Sequence, residues 1–368
     1  MLFLVAVFAA IFLYRFHFYP DFGNGFITGD WLINYEDGGF KRRGLSGTIA
    51  FIIQDLTNSN LTNVVYGIQL TIFFSFLAGM YLLVRKKEMN LLYVSLFFSP
   101  LAFLSYLNDY GYLGRKDMIL FLIFMIFIYL LDRRKLNLYK EIFVLVSISI
   151  ATLMHEIVLF YIPYFILALF ILNKRPEPVR YFFYLLAVVL PVGAIVLFGG
   201  PVNQGQSLGM LAERGVVLDQ LNIFIEADNK HFSDLSTDKI FSYLLYLLSF
   251  VLGFLHFAFY IIKNHPRYKR YLIGGLLFSL FYSLPLFYLA VDWGRWLQVH
   301  FILSLILVTL ILKNRDLHTG REVSFKNIFI HERFILLIFP FLFLWGVFHC
   351  GTGFVPGGVL RTFYNLVF

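Results

Sequence analysis

Apolar residues in this chain fall in blocks of roughly 15–25, separated by short clusters of Lys, Arg, Asp, Glu, Gly and Asn. A helix rises about 1.5 Å per residue, so blocks of this length match the hydrocarbon core of a bilayer. The pattern predicts about eleven transmembrane helices, at 1–20, 62–84, 90–107, 118–131, 142–155, 157–173, 181–198, 239–262, 271–291, 296–312 and 333–348. Residues 142–173 read as two helices parted at His155-Glu156, because one helix of that length would reach about 48 Å. The expected fold is all-α, a single polytopic transmembrane domain over residues 1–368 with outside loops at 21–61, 108–117, 199–238 and 292–295.

Composition excludes the water-soluble alternative. The chain is 60% hydrophobic and 14% charged, against about 45–50% and 25% in soluble domains. A net charge of +8 would suggest a nucleic-acid partner in a soluble protein, but its distribution argues for a membrane and against nucleic acid. If the N-terminus is cytoplasmic, segments 85–89, 132–141, 174–180, 263–270 and 313–333 lie inside and hold 19 Lys/Arg against 7 Asp/Glu. The opposite side holds 10 Lys/Arg against 15 Asp/Glu. The positive-inside rule therefore places the N-terminus in and the C-terminus out. The apolar start, without a basic leader, reads as a retained first helix, and the single Cys350 allows no internal disulfide. In the loop at 199–238, Leu208, Leu211, Val217, Leu218 and Leu221 share one side of a candidate helix lying on the membrane surface.

Four charged motifs collect on the outside. The first loop runs Gly29-Asp30-Trp31-Leu32-Ile33-Asn34-Tyr35-Glu36-Asp37-Gly38-Gly39-Phe40-Lys41-Arg42-Arg43, with basic residues where the positive-inside rule disfavours them. Arg42 and Arg43 are candidates to clamp an anion such as a lipid pyrophosphate; internal pairing with Glu36 and Asp37 is the plain alternative. Arg115 and Lys116 are further candidates to bind the ligand, with Asp117 beside them at the start of the predicted helix at 118, where a carboxylate also serves as a simple cap. His155-Glu156, between apolar runs, is an ionisable pair near membrane depth suited to acid–base work or to a turn. Asp292-Trp293-Gly294-Arg295-Trp296 joins an acid and a base in one tight turn. Trp31 and Trp293 offer faces for sugar rings, or belong to an interfacial belt. No Cys/His zinc cluster is present, and whether the carboxylates hold a divalent metal stays open.

This arrangement of polytopic helices, acidic first outside loop, charged outer loops and basic inner face resembles the GT-C glycosyltransferases. It is similar also to bacterial O-antigen and capsular polysaccharide polymerases. The resemblance implies an enzyme of the bacterial inner membrane, multi-pass, that takes an undecaprenyl-type lipid-linked sugar and works with a polysaccharide assembly system. It implies a loop carboxylate as base or orienting group, matched by Asp30, Glu36 or Asp37 with Asp37 favoured. Arg42, Arg43, Arg115 and Arg295 would engage the lipid pyrophosphate, with no cofactor except a divalent metal if one is used. His155 with Glu156, and Asp292, are the alternative catalytic groups. A transporter or flippase for a lipid-linked or anionic sugar is the rival reading, although such proteins place charge nearer the midplane and use repeats. A membrane acyltransferase is the third; Arg15 and His17 do not have the spacing expected for it.

Overall fold

The computed structural model describes residues 2–18, 24–133, 136–173, 176–218, 237–289, 292–314, 344–349, 355–356 and 358. These are mostly helical and divide into two compact units. The first comprises Met1–Leu77, Leu113–Ile166 and Arg175–Lys230; the second comprises Ala78–Tyr112, Leu167–Lys174 and His231–Phe368.

The first unit holds α1 (Leu2–Phe18), α2 (Asn24–Leu32), α3 (Gly44–Thr57), most of α4 (Leu61–Val84), α7 (Asp117–Asp132), α8 (Leu138–Met154), the start of α9 (Val158–Asn173), α10 (Pro178–Phe198) and α11 (Gln204–Glu213). Helices α8 and α10 pack along their lengths, with the Ser149 hydroxyl donating to the Ala187 carbonyl at 2.8 Å. Helix α3 packs on α2 through Gly47, whose N–H donates to the Ile33 carbonyl at 3.0 Å. A Cβ at Gly47 would lie 2.3 Å from that same oxygen, so the close approach needs glycine.

The second unit holds the end of α4, then α5 (Leu91–Phe97), α6 (Ser105–Asn108), the end of α9, α12 (Thr237–Asn264), α13 (Lys269–Tyr282), α14 (Leu284–Leu289) and α15 (Trp293–Val308). A two-residue ribbon pairs β1 (Trp345–Gly346) with β2 (Val355–Pro356) antiparallel, Trp345 opposite Pro356. Polar side chains pair between its helices: Gln298 donates to the Ser105 hydroxyl, and Ser283 pairs with His300 at 2.7 Å.

Among the described residues, three helices are long and apolar enough to cross a membrane: Leu61–Val84, Pro178–Phe198 and Ile240–Asn264. The expectation of eleven spans is corrected to that extent. Helices α1, α7, α8, α9 and α15 are apolar but only 16 or 17 residues long. The expected helix 90–107 is broken at Ser99-Pro100, where the chain leaves α5 through tight turns before α6 begins. The expected helix 271–291 breaks at Ser283, just ahead of Pro285. Neither proline can donate the backbone bond that would carry the helix through. The break at His155 is observed: α8 ends at Met154 and His155 caps it in an extended conformation, φ −160°. The last expected span, 333–348, lies outside the described residues up to 343, and Trp345–Gly346 at its end are strand. Of the expected surface helix over 207–221 only the start is helical, within α11, where Leu211 is fully buried; Val217 and Leu218 lie past its end in non-helical chain, and 219–236 lies outside the described residues.

Candidate functional site

Three of the four charged motifs meet in the first unit. The loop after α2 is shaped by Asn34, whose Oδ1 accepts the N–H groups of Glu36 at 2.9 Å and Asp37 at 3.1 Å. Gly38 and Gly39, at φ 131° and 87°, then let the chain reverse toward Arg42 and Arg43. Arg43 caps α3 at φ 62°, a left-handed conformation that non-glycine residues adopt at a cost. From that point it reaches two carboxylates, Nη1 to Asp30 Oδ1 at 3.3 Å and Nη2 to Glu156 Oε1 at 2.7 Å.

Glu156 is the hub. Its carboxylate accepts Arg42 Nε at 2.8 Å and Arg43 Nε at 3.1 Å, with Arg42 Nη2 on the same oxygen as Arg42 Nε. Adjacent His155 is buried, its Nε2 3.4 Å from Asp117 Oδ1 and its Nδ1 3.7 Å from Glu156 Oε2. Asp117 occupies the first turn of α7, where the helix dipole favours a carboxylate. Lys116 is wholly buried, donates to the Asp30 carbonyl at 2.6 Å, and lies 3.4 Å from Asp30 Oδ1. Trp31 holds this corner together: its Nε1 donates to the Gly114 carbonyl at 2.6 Å and its ring lies 5.9 Å under the Lys116 ammonium. Arg115, between them, is half-buried.

Electrostatics follow from burial and from these partners. Burial would raise the Glu156 carboxyl, but Arg43, His155 and Arg42 together hold it well below the usual carboxylate range. For Lys116 burial wins: the loss of solvent, with Arg43 nearby, outweighs Asp30 and brings the ammonium down to about 8. A lysine lowered from 10.5 to about 8 binds fewer protons folded than unfolded between those values, so Lys116 makes stability rise with pH across that window. Near pH 8 the ammonium beside Trp31 is expected to discharge. Emission from Trp31, isolated by subtracting the spectrum of Trp31→Phe, should shift with a midpoint near 8 and lose that transition in Lys116→Met. A flat profile in the wild type would remove Lys116 from any proton-linked role.

Asp37, the favoured carboxylate of the sequence reading, has other work. Its side chain is 1% exposed, ion-paired with a buried Lys41, and accepts the hydroxyl of Ser207 from α11. Lys41 also donates to the Asp37 carbonyl at 3.2 Å, and the Gly200 N–H reaches the Phe40 carbonyl at 2.9 Å. Glu36 points elsewhere, to Arg214 at 2.9 Å, which also pairs with Asp55 at 2.8 Å and lies 4.1 Å over the Phe51 ring. Pairing of Arg42 and Arg43 with Glu36 and Asp37, the plain alternative from sequence, is not what forms.

The fourth motif belongs to the second unit. Arg295 Nη1 pairs with Asp292 Oδ2 at 3.0 Å and its guanidinium lies 4.8 Å from the Trp296 ring. Trp293 donates to the Phe287 carbonyl at 2.9 Å and packs on Tyr243, so its ring is engaged in packing. A pair not foreseen from the sequence lies in this unit: Asp109 Oδ2 accepts the His349 N–H at 2.8 Å and bonds His349 Nδ1 at 2.7 Å. Burial would raise the Asp109 carboxyl, but these bonds and that of Gly111 lower it. Among the described residues no three His, Cys, Asp or Glu side chains are grouped to hold a metal ion. No protein-family model, curated protein or solved structure matches the chain.

Proposed function

We propose that this protein is a multi-pass membrane glycosyltransferase of GT-C type, using a polyprenyl-phosphate-linked sugar or oligosaccharide at the non-cytoplasmic face in surface polysaccharide assembly. One observation carries the reading. Arg42, Arg43, Lys116, Asp30, Asp117, His155 and Glu156, drawn from three separate segments, converge on one site beside apolar helices. Such a site joins guanidinium donors for a phosphate leaving group with carboxylate and imidazole groups able to take a proton from an acceptor hydroxyl. Within it Asp30, not Asp37, has the better claim as the loop carboxylate, because its side chain is 14% exposed and stands beside both Arg43 and Lys116. Arg42, half exposed, is the group a lipid phosphate meets first. The outside placement rests on the basic excess of the segments assigned to the cytoplasm.

The test is transfer by the purified protein in nanodiscs supplied with undecaprenyl-pyrophosphate-linked oligosaccharide and a saccharide acceptor. A new glycosidic bond is the expected product. Movement of donor between leaflets with no bond formed would replace the reading by a transporter. Orientation is checked in a Cys350→Ser background. A cysteine at exposed position 213 should react from outside, and one at exposed position 267 only after permeabilisation. The reverse pattern would put the cluster on the wrong face for a lipid-linked donor.

A further inference from the structure

We propose that Glu156 is a built-in competitor for phosphate, its carboxylate occupying the seat between Arg42 and Arg43 that a phosphate or pyrophosphate group takes on binding. The inference deepens, and rests on, the reading of Arg42 and Arg43 as an anion site. Four N–H donors from two consecutive guanidiniums converge on this one carboxylate. That is the donor array a tetrahedral oxyanion needs, filled from within the chain.

Charge makes the competition obligatory. Arg42, Arg43 and Lys116 are each paired with Glu156 or Asp30, and His155 lies beside both Glu156 and Asp117. A cluster already balanced offers an incoming dianion little net attraction unless one carboxylate withdraws or takes a proton. Glu156 is the one placed to do so. Asp30 is committed to Arg43 and Lys116, and Asp117 is 5% exposed in the first turn of α7. Glu156 is 21% exposed and lies in the short turn between α8 and α9, so its side chain can swing away without unwinding a helix. Arg42, 48% exposed, gives the ligand its approach.

The experiment is calorimetric titration of the full chain in nanodiscs with inorganic pyrophosphate, comparing wild type with Glu156→Gln. The glutamine keeps the shape and removes the competing charge, and pyrophosphate should bind about 10- to 100-fold tighter. Adding Arg42→Ala to that variant should abolish the gain. Repeating the titration with undecaprenyl pyrophosphate separates the sources. A gain with both ligands assigns the seat to the phosphate group itself, and a gain with the lipid alone assigns it to a headgroup. Equal or weaker binding of both ligands by a folded Glu156→Gln protein overturns the proposal and leaves Glu156 a structural tie. If that variant does not fold, Glu156→Asp serves, its shorter reach weakening the competition. No gain in a folded Glu156→Asp protein overturns the proposal equally. Wild-type binding without a gain sinks this proposal alone, whereas absence of binding in every form sinks the anion site with it.

Discussion

Replacing Asp30 by Asn is expected to lower sugar transfer by a factor on the order of 10²–10⁴ while donor affinity changes little. Asn keeps the size of the side chain and an oxygen for Arg43 Nη1 and Lys116, but loses the negative charge and nearly all basicity. The backbone carbonyl of Asp30, which accepts Lys116 at 2.6 Å, is untouched, so the local frame should survive. Steady-state kinetics with varied donor and acceptor separate the roles. A fall in kcat at constant donor KM assigns proton transfer or acceptor orientation to Asp30. A rise in donor KM with kcat preserved would instead make Asp30 a holder of Arg43. Full activity in Asp30→Asn, with loss in His155→Gln, would move the chemistry to the imidazole beside Asp117.

Sequence made the neighbourhood legible but not the partners. His155-Glu156 stood out because an ionisable pair between apolar runs is costly, and the chain indeed breaks there. Arg42 and Arg43 stood out because the sequence assigns their loop to the side on which the positive-inside rule disfavours basic residues. Their shared carboxylate lies more than a hundred positions away at Glu156, and no local pattern encodes that contact. A longer separation, 240 positions, hid His349 as the partner of Asp109. Helix ends failed for a different reason. Hydropathy averages over a window, so runs 90–107 and 271–291 looked continuous although Pro100 and Pro285 interrupt their backbone bonding. Asp37 looked catalytic because it adjoins two glycines and three bases. Four residues on, Lys41 is the base that takes it, and Ser207, far along the chain, completes the site.

That burial fixes the other large effect, which is on stability. Lys41→Ala should destabilise the protein by about 3–5 kcal/mol, because it strands a buried Asp37 carboxylate with the Ser207 hydroxyl as its remaining side-chain donor. Asp37→Asn strands the Lys41 ammonium, also fully buried, and should cost a similar amount. Removing both charges with Asp37→Leu and Lys41→Met should cost less than the two single changes together, since neither charge then remains unpaired. Ser207→Ala removes only a hydroxyl that donates to the carboxylate, worth about 1–3 kcal/mol. Thermal unfolding in detergent, followed by intrinsic fluorescence, ranks the four proteins, and transfer measured on the folded fraction separates stability from chemistry. A structural clamp predicts a large loss of Tm with near-normal turnover per folded molecule, because the buried Asp37–Lys41 pair ties α11 to the first loop through Ser207. An Asp37→Asn protein that melts like wild type yet turns over 10² times more slowly, roughly the loss expected of a missing base, would return the catalytic role to Asp37.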